Sequence, residues 1–212
     1  MPDRFFITGT DTGIGKTTVA ALLCAALDAI YWKPIQTGSR QGTDRRTVMR
    51  LARLPIGRTF PETYIFAPPV SPHLAAQRAR VRIELRKIKI PRLGGRENLI
   101  VEGAGGVLVP INAKQLMIDL MRRLKLPILL VARTSLGTIN HTLLSLAALR
   151  AARLKIHGVI MVGPTDRLEN RRAVEHYGEV QVVGVLPFLR TLNHQSLVSV
   201  FRKNFDRSAL HA

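Results

Sequence analysis

One stretch near the N-terminus combines the residue types that bind phosphate. Residues 9–18 read GTDTGIGKTT and begin two residues after an apolar run, residues 5–7. Glycines let backbone N–H groups turn toward phosphate oxygens. A lysine beside them can reach the terminal phosphates, and a hydroxyl can ligate magnesium; Lys16 and Thr17 have these types and positions. The stretch therefore predicts a phosphate-binding loop, with a capped helix after an ordinary turn as the plainer alternative.

A carboxylate at the end of a later apolar run suits the same chemistry. Residues 99–106 read LIVEGAGG, so Glu102 follows a strand-like run and begins a glycine-rich segment that we predict to be a flexible loop. In a phosphate-binding fold, an acid at the tip of a neighbouring strand can hold magnesium directly or through water. Alone, the pattern would fit a solvated Glu at a turn. Beside the phosphate loop it favours a metal ligand.

Two further charged residues follow the second apolar run. Lys33 begins the sequence KPIQTG, and Asp44 lies at the start of a basic, helix-like stretch. Ligands of open α/β sheets bind beyond the carboxyl ends of the strands, so Lys33 would add a second positive charge beside Lys16. Two lysines suit chemistry that builds negative charge, although a lone lysine is more often a surface residue. Asp44 stays open between a helix N-cap and a further magnesium ligand.

Short apolar runs alternate with longer Ala/Leu-rich stretches, and these elements must position the charged residues. Such alternation is typical of a parallel sheet covered on both faces. The predicted fold class is therefore α/β, a three-layer fold of the P-loop NTPase type with a mostly parallel sheet. The predicted strands are residues 4–8, 30–35, 98–101, 127–132, 158–162 and 180–186. The predicted helices are residues 16–29, 43–54, 116–124 and 139–152, and the proline-rich residues 55–96 are expected to be an irregular insertion.

Length and composition fit one globular domain spanning residues 1–212, since 46% of the residues are hydrophobic. No apolar run is long enough to span a bilayer, and the N-terminal residues lack the form of a signal peptide. The single cysteine, Cys24, lies in an apolar stretch and reads as a core residue. We therefore expect a cytoplasmic protein that does not contact membranes.

The charge balance is unusual, with 32 Lys and Arg against 14 Asp and Glu, a formal net charge of +18. Such a balance makes nucleic-acid binding a hypothesis to weigh. The basic residues are spread over several stretches, however, and only 5% of the residues are aromatic, which leaves few platforms for base stacking. We therefore favour solvated cationic faces over a dedicated nucleic-acid site.

Five segments, in this order, resemble the dethiobiotin synthetase family, the ATP-dependent cyclo-ligases of biotin synthesis. The matching segments are GTDTGIGKT (9–17), KPIQTG (33–38), SPH (71–73), VEGAGG (101–106) and LGTINH (136–141). The phosphate loop has five residues between Gly9 and Gly15, where the strict P-loop pattern has four, and this shifted spacing is the family's own form. The resemblance extends from residue 4 to about residue 190.

The resemblance implies a reaction and a set of partners. Carbon dioxide adds to one amine of 7,8-diaminononanoate to give a carbamate, which ATP phosphorylates to a mixed anhydride. The second amine then closes the cyclic urea and releases phosphate. The implied partners are 7,8-diaminononanoate, ATP and CO2 or bicarbonate, with Mg2+ as cofactor. The resemblance also implies a homodimer whose interface completes the substrate site.

The resemblance further implies residue roles. The catalytic residues are Lys16, Lys33 and Thr12. The magnesium ligands are Thr17, Asp44 and Glu102. The nucleotide-binding residues are Gly13, Ile14, Gly15, Lys16, Thr17, Thr18, Glu102, Gly105, Val162, Pro187 and Leu189. The substrate-binding residues are Thr12, Lys33, Thr37, Ser71, Gly103, Ala104, Gly105, Gly106, Leu136, Gly137, Thr138, Ile139 and Asn140.

The sequence departs from the family pattern at the base-recognition position. The family usually places an Asn at the end of the fifth strand, where its amide reads adenine, and this chain has Val162 there. A valine cannot make those hydrogen bonds. Base selectivity is therefore either loose or carried by backbone groups near Pro187 and Leu189. The segment between Lys16 and Lys33 is also shorter than usual.

Three other functions stay open on the sequence alone. An amidase of the cobyrinate type shares the early motifs but needs a glutaminase domain with a nucleophilic cysteine, which this length does not accommodate. A partition-type ATPase that binds DNA non-specifically would suit the charge, but it usually carries an extra lysine early in the loop, where this chain has Thr10, Asp11 and Thr12. A protein that only binds nucleotide is disfavoured by the presence of Lys16, Lys33 and Glu102.

Overall fold

The computed structural model describes residues 2–165 and 168–210. The strands in this part of the chain are β1 (Arg4–Gly9), β2 (Ile30–Trp32), β3 (Ile35–Gln36), β4 (Thr59–Phe60), β5 (Tyr64–Ile65), β6 (Leu99–Gly106), β7 (Ile128–Arg133), β8 (Ile156–Val162) and β9 (Val182–Leu186). The α-helices are α1 (Lys16–Leu27), α2 (Asp44–Ala52), α3 (Pro72–Arg78), α4 (Met117–Leu124), α5 (Thr138–Ala151), α6 (Leu168–Gly178) and α7 (His194–Asn204). No helix in these ranges is long and apolar enough to cross a membrane.

Seven strands form one sheet in the order β4-β2-β6-β1-β7-β8-β9, and every neighbouring pair is parallel. β3 and β5 form a separate parallel pair. Parallel neighbours require crossover connections, which helices usually supply. The predicted α/β fold with a largely parallel sheet is confirmed.

Strand β1 shows how the two faces of the sheet are covered. Phe5 and Ile7 pack into one apolar cluster with residues of α1, α2 and α7, whereas Phe6 packs into another with residues of α3, α4, α5 and α6. Successive side chains of a strand point to opposite faces, so a continuous apolar run buries both faces at once. The sheet therefore lies between two helical layers, as predicted.

The second predicted strand, residues 30–35, is wrong as one element. The structure divides it into β2 and β3, with Lys33 and Pro34 between them. Proline has no N–H to donate to a neighbouring strand, so the ladder breaks at this point. The break lies at the carboxyl end of β2 and places Lys33 beside the site described below.

The flexible loop predicted at residues 103–106 is also wrong, because β6 continues through Gly106 and pairs there with Gly9 of β1. The reason is close packing. A Cβ on Gly103 would lie 2.9 Å from a ring carbon of Phe6, and Gly105 has a φ of +70°, which other residues rarely adopt. These glycines let β6 pack closely against its neighbours. The strand that was predicted to end at residue 101 is therefore five residues longer at this end.

Residues 55–96 are less irregular than predicted, because they contain β4, β5 and α3. The helices α6 and α7 were not predicted. Asp44 is the first residue of α2 and not its N-cap, since Thr43 precedes it and accepts a hydrogen bond from Arg46 N–H. Each remaining predicted helix or strand differs from the observed one by one or two residues at an end.

Candidate active site

The predicted phosphate loop connects β1 to α1 and presents its backbone at the carboxyl edge of the sheet. Gly13 and Gly15 have φ values of +70° and +96°, so the loop needs glycine at both positions. Lys16 begins α1, and its Nζ donates to the carbonyl oxygen of Asp11 at 2.7 Å. The free N–H groups and positive end of α1 therefore adjoin a lysine ammonium, which suits a bound phosphate.

Lys16 is 6% exposed. Burial lowers its pKa from 10.5 to about 8; the nearby Glu102 carboxylate opposes this shift, and Lys33 adds to it. The ammonium is thus held in a site where its charge is poorly solvated. An anionic ligand would relieve that cost.

Lys33 lies between two carboxylates from different parts of the fold. Its Nζ is 2.9 Å from Oε1 of Glu102 on β6 and 2.7 Å from Oδ2 of Asp44 on α2. The Lys33 and Glu102 side chains are almost fully buried, while that of Asp44 is 32% exposed. Burial alone would lower the pKa of Lys33, but the two carboxylates outweigh it and raise the pKa. Lys33 therefore stays charged inside the protein.

Glu102 receives two more hydrogen bonds from hydroxyl groups. Thr17 Oγ1 donates to Oε1 at 2.9 Å, and Tyr31 Oη donates to Oε2 at 2.8 Å. Burial, and after it the Glu102 charge, raises the pKa of Tyr31 well above its usual value. The tyrosine therefore keeps its proton and donates. The structure thus brings together the three predicted magnesium ligands, Thr17, Asp44 and Glu102, around Lys33.

These residues line a cavity of about 690 Å3, which we call the main cavity. Of the predicted residues, it is lined by Thr12, Gly13, Gly15, Lys16, Thr17, Thr18, Lys33, Thr37, Asp44, Ser71, Glu102, Ala104 and Gly105. Gly103 and Gly106 do not line it, although both were predicted to contact substrate. Added Cβ atoms there would meet the Phe6 ring and the Gly9 carbonyl oxygen. In this structure both glycines therefore serve strand packing.

A second cavity, of about 350 Å3, adjoins the first across the phosphate loop and shares Gly13, Gly15 and Thr18 with it. The predicted base-site residues Val162, Pro187 and Leu189 all line the second cavity, as does Ile14, which was predicted to bind the nucleotide. Its other lining residues include Leu186, Phe188 and Leu192. A flat apolar group attached to a phosphate chain would fit this arrangement.

Two backbone carbonyls of residues that line the second cavity are already hydrogen-bonded within the protein. The carbonyl oxygen of Val162 accepts from Thr134 N–H at 3.1 Å, and that of Leu186 accepts from Gly163 N–H at 3.0 Å. Pro187 has no N–H. The ends of β8 and β9 are therefore already engaged in hydrogen bonds within the protein.

Arg133 was missed by sequence reasoning. It ends β7, lines the second cavity, and its Nη2 lies 3.5 Å from the carbonyl oxygen of Thr12 and 3.7 Å from the Asp11 carboxylate. Its position at the carboxyl end of a strand is a signal that could have found it. Tyr31 was missed as well, although it stands two residues before Lys33 in the sequence.

The predicted substrate residues 136–140 do not reach the main cavity of their own chain. Leu136 and Thr138 line a separate cavity of about 50 Å3. Leu136 is fully exposed, whereas Thr138 is buried and donates to the carbonyl oxygen of Arg133. Gly137 and Asn140 are also exposed, and Ile139 is half-buried. Within a single chain, therefore, most of this segment lies at the protein surface.

The donor set around Glu102 fits magnesium but does not enclose it. Two carboxylates and a hydroxyl are the oxygen ligands that Mg2+ prefers, and Mg2+ is usually held by one or two carboxylates with substrate phosphates and water completing the shell. In the described part of the chain, no group of three or more His, Cys, Asp or Glu side chains could hold a metal ion. A magnesium ion here would therefore take its remaining ligands from phosphate and water.

A family model described as an AAA domain matches residues 3–196. Together with the parallel sheet, the phosphate loop and the lysine at the start of α1, this match defines an α/β nucleotide-binding protein of the P-loop type.

Curated relatives narrow the class. The chain is 46% identical over 206 residues to the ATP-dependent dethiobiotin synthetase of Rhodopseudomonas palustris, covering 97% of this chain and 95% of the relative. It is 52% identical over 178 residues to the synthetase of the same name from Paramagnetospirillum magneticum, covering 84% of each. The chain belongs to the ATP-dependent dethiobiotin synthetase family.

Solved structures agree on the fold. A ParA family ATPase from Chlorobium tepidum aligns over 100% of both chains with a TM-score of 0.59 and 15% identity. The cell division protein MinD from Aquifex aeolicus aligns over 95% of this chain and 96% of its own, with a TM-score of 0.53 and 15% identity. Likeness at this level shows the fold alone, so it does not favour the partition-type alternative.

Proposed function

We propose that this chain is an ATP-dependent cyclo-ligase of biotin synthesis that forms dethiobiotin from 7,8-diaminononanoate, CO2 and ATP. The observation that carries the proposal is the 46% identity to an ATP-dependent dethiobiotin synthetase over 97% of the chain. The site supports it, because a charged cavity of about 690 Å3 and an apolar cavity of about 350 Å3 meet at the phosphate loop. The first suits the diamine and the reacting groups, and the second suits the base.

Lys16 and Lys33 are the proposed electrostatic centres. Lys16 would bind the γ-phosphate, and Lys33 would stabilise negative charge on the carbamate and on the phosphoryl group in transfer. Donors fixed in a water-poor site are worth more than in water and cost no reorganisation at the moment of reaction. No protein nucleophile is needed, so catalysis rests on positioning and electrostatics. Thr12, Thr37, Ser71 and Ala104, which line the same cavity, would orient the diamine.

Thr17, Asp44 and Glu102 would hold Mg2+ together with the nucleotide phosphates. When bound, the ion would neutralise charge that builds up on those phosphates. In the structure Lys33 lies within 3 Å of both carboxylates. In this proposal Lys33 holds the two acids together in the free protein and would turn toward the substrate when a magnesium ion takes its place between them.

We further propose a homodimer in which residues 136–140 of each chain complete the substrate site of the other. Leu136, Gly137 and Asn140 are exposed in one chain, with Leu136 fully accessible, and the N-terminus of α5 offers N–H groups to a carboxylate. Sedimentation equilibrium is expected to give twice the mass of one chain. A monomer that turns over at full rate would exclude this arrangement.

The mixed-anhydride route can be tested by the fate of one oxygen. The carbamate oxygen that attacks the γ-phosphorus stays with phosphate when the second amine closes the ring. Turnover with 18O-labelled bicarbonate, measured before the label exchanges with water, is therefore expected to put one 18O into each released phosphate. Labelled product with unlabelled phosphate would exclude the route.

Glu102→Gln is expected to raise the Mg2+ concentration needed for half-maximal turnover by about tenfold or more, since weakened metal sites lose affinity by such factors. The measurement is a magnesium titration at saturating ATP and diamine. Glu84→Gln is the matched control, because Glu84 pairs with Arg86 and Lys87 at the surface. An unchanged titration in Glu102→Gln would remove Glu102 from the metal site.

Val162→Asn is expected to raise the preference for ATP over GTP, measured as the ratio of kcat/KM values, by about fivefold, the worth of one net hydrogen bond. The reason is that Val162 lines the apolar cavity and offers no polar side-chain atom. Val81→Asn, at a position 44% exposed, is the control. The same ratio in both variants would mean that the base is read elsewhere.

A further inference from the structure

Tyr31 makes a contact with the site that the proposed reaction does not use. Its side chain is fully buried, and its hydroxyl donates to Oε2 of Glu102 at 2.8 Å. The other carboxylate oxygen, Oε1, accepts from Lys33 and Thr17. Oε1 of Glu102 thus faces residues that line the cavity, whereas Oε2 is hydrogen-bonded to a residue in the protein interior.

Strand register explains how a tyrosine reaches this carboxylate. Tyr31 of β2 pairs with Ile100 of β6, and Glu102 lies two residues further along β6. Residues two apart share one face of a sheet, so Ile100 and Glu102 both lie on the face of Tyr31. The hydroxyl at the end of the ring spans the diagonal distance to Glu102.

The ring of Tyr31 is itself held firmly, because it belongs to the apolar cluster that packs α1 and α2 onto the sheet. The terminal torsion of a glutamate is broad and would otherwise let the carboxylate turn. A hydrogen bond from a fixed donor to Oε2 restricts that rotation. It therefore keeps Oε1 directed toward Thr17, which lies 2.9 Å away.

We propose that Tyr31 is a positioning residue that orients the Glu102 carboxylate so that Oε1 serves the magnesium–nucleotide complex. The inference rests on the proposed function only in the assignment of Glu102 to magnesium. Tyr31 touches neither nucleotide nor diamine in this assignment, and it acts through Glu102.

The test compares ADP binding with and without magnesium in Tyr31→Phe. ADP affinity is measured by calorimetry in EDTA and then in excess Mg2+, and the ratio of the two affinities is the magnesium enhancement. We expect unchanged affinity in EDTA and an enhancement reduced by about tenfold, which corresponds to about 1.4 kcal/mol. Equal loss in both conditions, as a merely structural role would give, overturns the proposal, and so does an unchanged enhancement.

Tyr64→Phe is the matched control, because its hydroxyl accepts a hydrogen bond from the Glu84 N–H, outside the lining of the main cavity; its enhancement is expected to equal that of the wild type. The readout needs no turnover. A protein that made no dethiobiotin but lost the enhancement in Tyr31→Phe would refute the proposed function alone.

A second measurement applies if Tyr31→Phe fails to fold. With 3-fluorotyrosine at position 31, which keeps the hydroxyl, the fluorine resonance is expected to shift when Mg2+ is added to the ADP complex. A resonance that does not move overturns the proposal.

Discussion

Lys16→Ala is expected to lower kcat/KM for dethiobiotin formation by at least about a hundredfold, the loss that follows removal of one preorganised charge-stabilising donor. Lys16 lines the main cavity, begins α1 and is nearly buried. Among the residues that the structure describes, Lys33 is the one other lysine that lines either cavity. The loss is expected in phosphoryl transfer itself, so single-turnover phosphate release is the measurement.

The fold of Lys16→Ala is expected to be intact, because α1 packs onto the sheet through Val19, Leu22 and Leu23. Thermal unfolding checks this. Lys114→Ala changes an exposed lysine and is expected to leave turnover unchanged. Turnover within a few-fold of wild type in Lys16→Ala would contradict the role assigned to this lysine.

Lys33→Met is expected to damage both stability and activity. The change keeps an unbranched side chain of nearly the same length and removes the positive charge that lies between Glu102 and Asp44. Breaking a buried ion pair by removing one partner costs about 3–5 kcal/mol. Asp44 is partly exposed and can turn to water, so we expect the lower end of that range in the free energy of unfolding, together with loss of measurable ring closure.

Urea unfolding with and without Mg2+ gives the sharper measurement for Lys33→Met. A divalent cation can replace the lost ammonium between the two carboxylates, so Mg2+ is expected to restore part of the stability of Lys33→Met. Lys87→Met, which removes an exposed partner of Glu84, is expected to cost at most about 1 kcal/mol. Equal stabilities of the two variants would contradict the arrangement around Lys33.

The phosphate loop could be predicted from the sequence because the residues that form it are close together in the chain. Its glycines, lysine and flanking elements are adjacent in the chain, so the start of β1 and the start of α1 were predicted at their observed positions. The layered fold followed from the apolar strands. The resemblance to dethiobiotin synthetases also came from short segments, and the curated relatives confirm it.

What the sequence could not supply depends on strand order and packing. The pairing of β2 with β6 depends on the strand order of the whole sheet. This pairing brings Tyr31 to Glu102. Gly103 and Gly106 were assigned to a loop because glycine is usually read as flexibility, whereas here the Phe6 ring and β1 require it. Helix α7 is a different case, because its buried Leu197, Val200 and Phe201 have the i, i+3, i+4 spacing of a helix and could have been found from the sequence.

The central claim is that this chain makes dethiobiotin at the junction of the two cavities. The most direct measurement is phosphate release from MgATP by the purified protein in bicarbonate, with and without 7,8-diaminononanoate, alongside mass detection of dethiobiotin. The expected result is phosphate release that depends on the diamine and matches the product formed mole for mole. Release that ignores the diamine but rises with added DNA would contradict the claim and support a partition-type ATPase.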